Sequence, residues 1–211
     1  MIYQLNILIY SSKTKNVIIN FIDKIFYHPL MNQLQFLPKQ LDIIKKFEEG
    51  KNLFVTGGAG SGKSFLLNHL KLNYAKKGLT VTASTGIAAV NIGGSTIHSW
   101  SGIGLGNLPL EKIVEDLFSA KFSRLRRKIL ETKSLAIDEI SMISSQTLDL
   151  IDQVLRNVRQ NQKAMGGLQV LFFGDFLQLP PVNKVANDVN FCFEADCWQQ
   201  LNLETFNLTE K

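Results

Sequence analysis

Gly57-Gly58-Ala59-Gly60-Ser61-Gly62-Lys63-Ser64 satisfies G-x-x-x-x-G-K-[ST] at every fixed position. The run before it, residues 52–56 (NLFVT), is short and apolar and reads as a buried strand. Residues 65–70 (FLLNHL) open a helical pattern. A strand, a glycine loop and a helix in that order aim several backbone N–H groups at one anion, and the helix adds its positive end. The glycines let the backbone approach phosphate oxygens and take positive φ. The sequence therefore predicts an ATP phosphate site formed by Gly58, Ala59, Gly60, Ser61, Gly62, Lys63, Ser64 and Phe65. Lys63 is expected to reach the β- and γ-phosphates, and the Ser64 hydroxyl to hold Mg²⁺.

A second half of such a site lies downstream. Residues 134–137 (SLAI) read as a strand running into Asp138-Glu139. In parallel α/β sheets, ligands bind at the carboxyl ends of strands. There Asp138 would hold Mg²⁺ through water and Glu139 would polarise the attacking water. A small-molecule kinase needs no such second acid, whereas a hydrolytic motor does. Two acids capping a helix N-terminus would look the same in sequence. Residues 168–173 (LQVLFF) form a nearly continuous apolar run, as in a central parallel strand, and end at Gly174-Asp175-Phe176-Leu177-Gln178-Leu179-Pro180-Pro181. Gln178 is placed to sense a γ-phosphate, with Pro180-Pro181 stiffening the loop.

The remaining chain supplies helices and strands in alternation. A helix is expected from Pro38 to Glu49, stopped by Gly50, and the phosphate-loop helix continues to about Lys77. A strand at 79–83 turns through Ser84-Thr85-Gly86 into a short helix at 87–92. Helices follow at 110–120, 121–130 and 146–160, then a strand-like run at 191–193, a helix at 195–201 and a strand at 204–208. This pattern predicts a three-layer α/β domain with a mainly parallel sheet. Residues 34–211 are assigned to that domain and residues 1–33 to a poorly defined N-terminal extension, in which a strand at 5–10 and a helix or strand at 17–27 are conceivable.

Charge is unevenly distributed. The 211 residues carry 23 basic and 18 acidic side chains, a net charge of +5. Residues 51–110 hold five lysines and no acid, while the rest balances, so the positive field belongs to the phosphate-loop region and suits a polyanion. Residues 121–128 contain five basic groups, readable as a phosphate-binding face but more commonly a solvated helix end. Cys192 and Cys197 fit no zinc spacing and are expected to be structural thiols. There is no apolar run of membrane-spanning length and no secretion-signal pattern, so the protein is expected inside the cell: nucleus or mitochondrion in a eukaryote, cytoplasm in a bacterium. Two further residues carry open readings. Gln40 suits an adenine edge or a plain surface position, and Trp100, after the small, acid-free stretch Ser95–Ser99, suits base stacking or the core.

Taken together, residues 54–64 (FVTGGAGSGKS), 85–98 (TGIAAVNIGGSTIH), 135–142 (LAIDEISM) and 166–182 (GGLQVLFFGDFLQLPPV) resemble the first RecA-like domain of the petite-integration-frequency helicases, superfamily-one DNA helicases that move 5′ to 3′. The resemblance implies ATP and Mg²⁺ as cofactors and single-stranded DNA as partner, with no membrane association. It implies a place in DNA repair, recombination and telomere maintenance. Gln40 falls at the family's adenine-reading glutamine, Gly60, Gly62, Lys63 and Ser64 in its phosphate loop, Asp138 and Glu139 at its metal and water acids, and Gln178 at its γ-phosphate sensor. Thr85, Gly86, His98 and Trp100 fall in its strand-contacting segment. The family's motor closes a second RecA-like domain, with its arginine fingers, over the nucleotide. This chain runs to Lys211, about where the first such domain would finish. The expectation is therefore nucleotide binding with very slow hydrolysis until a second RecA-like domain, on a separate chain if need be, completes the motor. A non-catalytic fragment and another phosphotransferase are the alternatives.

Overall fold

The computed structural model describes residues 36–178 and 190–209. The chain divides into two compact units, Met1–Leu37 and Pro38–Lys211, and the elements below belong to the second. They are α1 (Pro38–Glu48), β1 (Leu53–Thr56), α2 (Lys63–Tyr74), β2 (Leu79–Ala83), α3 (Gly86–Asn91), β3 (Ser95–Thr96), α4 (Ile97–Ser101), α5 (Leu110–Phe118), α6 (Ser123–Glu131), β4 (Ser134–Asp138), α7 (Ser145–Arg159), β5 (Gln169–Phe173), α8 (Asp196–Gln200) and β6 (Glu204–Asn207).

The strands form one sheet in the order β3-β2-β4-β5-β1-β6, with every pairing parallel. The central strands are almost wholly buried, as the apolar runs require. Burial falls off at both margins, where β3 has two residues and β6 is half-exposed. Side chains alternate across a strand, which sorts the core into two layers. Phe54, Leu135, Ile137, Val170 and Phe172 join the buried cluster that includes Ile113 and Leu117 of α5, Ile129 of α6 and the inner face of α7. The intervening Leu53, Val55, Ala136, Leu171 and Phe173 are equally buried, and face the layer holding Ile43 and Phe47 of α1 and Leu66, Leu67 and Leu70 of α2. The result is the expected three-layer α/β arrangement.

Most element boundaries fall within a residue or two of the sequence pattern. The phosphate-loop helix tightens into a 3₁₀ turn at Ala75–Lys77 before Gly78 stops it at φ 105°. The run at 191–193 is not a strand. Cys192–Glu194 is a 3₁₀ turn, and Phe191 makes one isolated antiparallel bridge to Ser144. Its apolar character serves aromatic packing instead: Phe191 and Phe193 stack 5.2 Å apart, and both meet the edge of Phe176. The extension readings at 5–10 and 17–27 and the Pro180-Pro181 pair lie outside the described residues.

Candidate functional site

A fully parallel sheet brings the carboxyl ends of all its strands to one edge. Val55 pairs with Phe173 and Ile137 with Phe172. β1 and β4 therefore leave the sheet nearly level with each other, about 10 Å apart with β5 between them. The phosphate loop, Asp138-Glu139 and the Gly174–Gln178 turn consequently emerge side by side.

The loop itself is held open by backbone geometry. Gly57, Gly60 and Gly62 have φ of 146°, 77° and 91°, values that L side chains resist. At Gly57 a Cβ would lie 2.3 Å from the Leu208 carbonyl, and at Gly62 one would lie 2.6 Å from Gln40 Nε2. Between them, Gly58 and Gly60 face open space and Ala59 is exposed. α2 starts at Lys63 with Gly62 as its N-cap. No side chain caps it and its first turn has no acid, so its amides and positive pole remain directed at the loop. Phe65 lies in that first turn, half-buried. The Ser61 hydroxyl is buried and has no hydrogen-bond partner among the described residues. The Lys63 ammonium donates to the carbonyls of Gly57 and Gly58, the latter at 3.1 Å. Ser64 is exposed beside it. An amide-lined cradle with an orphaned hydroxyl and a flanking ammonium fits a polyphosphate.

Asp138 is buried at the tip of β4, and the Glu139 N–H donates to its Oδ1 at 3.0 Å. Burial, then the Glu139 charge, pushes the Asp138 carboxyl from 3.8 up to about 6, against the opposing pull of that N–H and of the Lys63 ammonium. That pull puts Lys63 and Asp138 in one electrostatic neighbourhood, on one edge of the sheet. A desolvated carboxylate beside a second acid is a natural seat for a divalent cation. Glu139 is half-exposed and sits at φ 54°, ψ 43°, a left-handed conformation rare for glutamate. Just after β5, Gly174 lies so close to Ile140 that a Cβ would meet its N at 3.1 Å. Beyond it, buried Asp175 organises the turn: its Oδ1 accepts from the Leu177 N–H at 3.0 Å, and its Oδ2 from Gln178 Nε2 at 3.1 Å. Gln178 is exposed.

Gln40 is not a surface residue. It is 4% exposed, and its amide packs on the loop at Gly62. Farther along the edge, Ser84 N donates to the Asp138 carbonyl at 3.0 Å, tying the start of the 85–98 segment to β4. Thr85 caps α3 by accepting from Ala88 N, and Gly86 is exposed. His98 is half-buried, which lowers its pKa and favours the neutral ring. Trp100 is a correction to the stacking expectation. It is 1% exposed within the core cluster, because α4 turns its apolar face inward, and its indole offers no face to a base. Of the lysines in the basic stretch, Lys63 and Lys71 keep their charge but donate to backbone carbonyls. In the 121–128 run, Lys121 and Arg126 lie over Phe122 and Phe118, and Arg127 is 3.7 Å from Glu131. Cys192 and Cys197 are buried free thiols, with burial raising both pKa values, that of Cys192 to about 12. Asp175 as the brace of Gln178, and the Leu208 carbonyl against Gly57, were not readable from sequence, because both depend on tertiary register.

The family described as PIF1-like helicase matches residues 33–211. Among curated proteins, the ATP-dependent DNA helicase RRM3 of Saccharomyces cerevisiae is 46% identical over 165 residues, 75% of this chain and 22% of that protein. The ATP-dependent DNA helicase PIF1 of Homo sapiens is 40% identical over 176 residues, 83% of this chain and 27% of that protein. The crystal structure of Pif1 helicase from Candida albicans superposes with a TM-score of 0.77 at 40% identity, covering 84% of this chain and 40% of that one. That of Pif1 helicase from Bacteroides in complex with ADP-AlF3 and ssDNA gives 0.73 at 35%, covering 84% and 42%. The chain thus spans about a quarter of the length of these curated relatives.

Proposed function

The chain belongs to the PIF1-like helicase family, with the RecA-like fold of those helicases, and from this we propose that it is the ATP-binding half of a 5′-to-3′ DNA motor. Gln40 reads the adenine edge. The amides of residues 58–65 and the Lys63 ammonium hold the phosphates, and Ser64 and Asp138 hold Mg²⁺. Bound there, the metal would neutralise phosphate charge. Glu139 accepts a proton from the attacking water, and Gln178, braced by Asp175, contacts the γ-phosphate. Thr85, Gly86 and His98 lie along the strand path. A second RecA-like domain closes over the nucleotide and supplies the cations that hydrolysis needs. In the cell, such a motor would serve DNA repair, recombination and telomere maintenance.

The single observation that carries this reading is the convergence, at one sheet edge, of an uncapped helix start behind an open glycine loop and a desolvated carboxylate that feels the Lys63 charge. Calorimetry tests it. Mg-ATP should bind the parent chain, and Lys63→Ala should weaken it by about a hundredfold, through loss of a charge-assisted contact. An alanine variant that binds as well as the parent would overturn the assignment. Single-stranded DNA binding should weaken with salt, because phosphate contacts release counterions.

A further inference from the structure

Lys71 occupies the last turn of α2, the helix that begins at the phosphate loop. Its ammonium donates to the carbonyls of Ile92 and of Gly93, the latter at 3.0 Å. Ile92 is the C-cap of α3, so a positive charge sits on that helix's negative end. The turn is shaped to receive it: Gly93 has φ 56°, and a Cβ there would lie 3.1 Å from Lys71 Nζ.

α3 itself packs weakly. It is six residues long, too short to persist alone. Ala89 is its one buried residue, while Ile87 and Val90 are 80% and 79% exposed. At its start, the segment is tied to the metal-site strand through the bond from Ser84 N to the Asp138 carbonyl. At its end, it is tied to the nucleotide helix through Lys71. The segment also buries Ile92 and runs into β3, which pairs with β2, but of its polar ties one reaches the metal-site strand and the other the nucleotide helix. Eight residues of helix separate Lys63 from Lys71, a rigid reach of about 12 Å.

We propose that Lys71 is a positioning residue that couples the nucleotide helix to the strand-facing 85–94 segment, so that ordering α2 at its phosphate end orders α3 at its far end. The inference rests on the function proposed above, which places nucleotide at the start of α2 and single-stranded DNA along Thr85 and Gly86. Such coupling is reciprocal: nucleotide strengthens strand binding by the same factor that the strand strengthens nucleotide binding.

The test is amide hydrogen exchange on the parent, Lys71→Met and Lys71→Arg, with and without Mg²⁺ and a non-hydrolysable ATP analogue. Met keeps the stem and removes the donors, while Arg restores them. In the parent and Lys71→Arg, the analogue should slow exchange across residues 86–94 by about tenfold. In Lys71→Met it should change exchange there by less than about twofold, although that variant binds the analogue with parental affinity. Fluorescence anisotropy should show nucleotide-strengthened binding of an oligothymidine strand in the parent and Lys71→Arg only. A Met variant that keeps the full nucleotide response, or a parent that binds the analogue without any change at 86–94, overturns the coupling and leaves the ATP site standing. A parent that does not bind the analogue removes the functional reading and the coupling together.

Discussion

At the amino edge of the sheet, polar side chains are fully engaged. Gln169 Nε2 donates to the carbonyls of Phe47 and Lys51 at 2.8 and 2.9 Å, and its Oε1 accepts from the Ser134 hydroxyl at 2.8 Å. Asn52 donates to the Leu201 carbonyl and accepts from the Val170 N–H. Nearby, buried Asp152 is met by Arg156 Nε at 2.7 Å and Met165 N at 2.5 Å. At the carboxyl edge, the hydroxyls of Ser61, Ser84 and Ser141 are buried without partners among the described residues, Asp138 is desolvated, and Glu139 is left-handed. Orphaned polar groups are costly, and native folds rarely keep them without a reason. Three of the four such groups among the described residues lie at this edge, Trp100 Nε1 in the core being the fourth, which separates the end of the sheet that maintains the fold from the end that works.

The largest effect that sharpens this contrast is on chemistry. Glu139→Gln keeps the size of the side chain and removes its basicity. In the motor completed by a second RecA-like domain, single-turnover ATP hydrolysis should fall by about two to four orders of magnitude, the usual worth of a positioned general base, while ATP affinity stays parental. Unchanged turnover would remove Glu139 from the working edge.

Asp138→Asn should separate stability from function. Burial holds the Asp138 carboxyl at about 6, against an ordinary 3.8. A raised carboxyl pKa means the folded chain holds its proton longer. This group's contribution to folding is therefore fully present below about 3.8 and is lost as pH rises through about 6. Above that, the ionised group costs on the order of 2–3 kcal/mol. The Asn variant should thus melt higher than the ligand-free parent at pH 8, with the gap closing toward pH 4, and should lose Mg²⁺-dependent ATP binding. Scanning calorimetry across that range checks it, and a gap that ignored pH would defeat the argument. At the opposite edge the sign reverses. Asn52→Leu strands a buried carbonyl and a buried N–H, and should destabilise the fold by about 2 kcal/mol while leaving ATP affinity unchanged below the melting transition.

The two edges were not equally legible in the sequence. The working edge announces itself locally: residues 57–64 and 138–139 are contiguous, and strand–loop–helix order alone aims their groups. Even there, the brace from Asp175 to Gln178 and the burial of Gln40 against Gly62 needed the fold, because nothing in spacing reports which loop lies against which. The maintaining edge was almost invisible. Gln169 and Phe47 are 122 residues apart, and a glutamine at the start of an apolar strand carries no sign of three partners. Phe191 and Phe193 misled because a short apolar run marks a strand and an aromatic cluster alike.

Trp100 is the residue on which the contrast is easiest to break, and the expected effect on binding is the smallest. It lies close in sequence to the 85–94 segment proposed to face the strand, yet belongs to the maintaining part of the molecule by burial. Its Nε1 has no partner among the described residues, so removing the indole forfeits packing rather than a hydrogen bond. Trp100→Leu should lower stability by about 2 kcal/mol through the cavity it leaves. Affinity for single-stranded DNA, measured well below the melting temperature, should move by less than about twofold. A base stacked on the indole would instead contribute about 1–3 kcal/mol, a loss of roughly 5- to 150-fold on substitution. A loss of that size would return Trp100 to the working edge, and would mean that α4 turns outward when the strand binds.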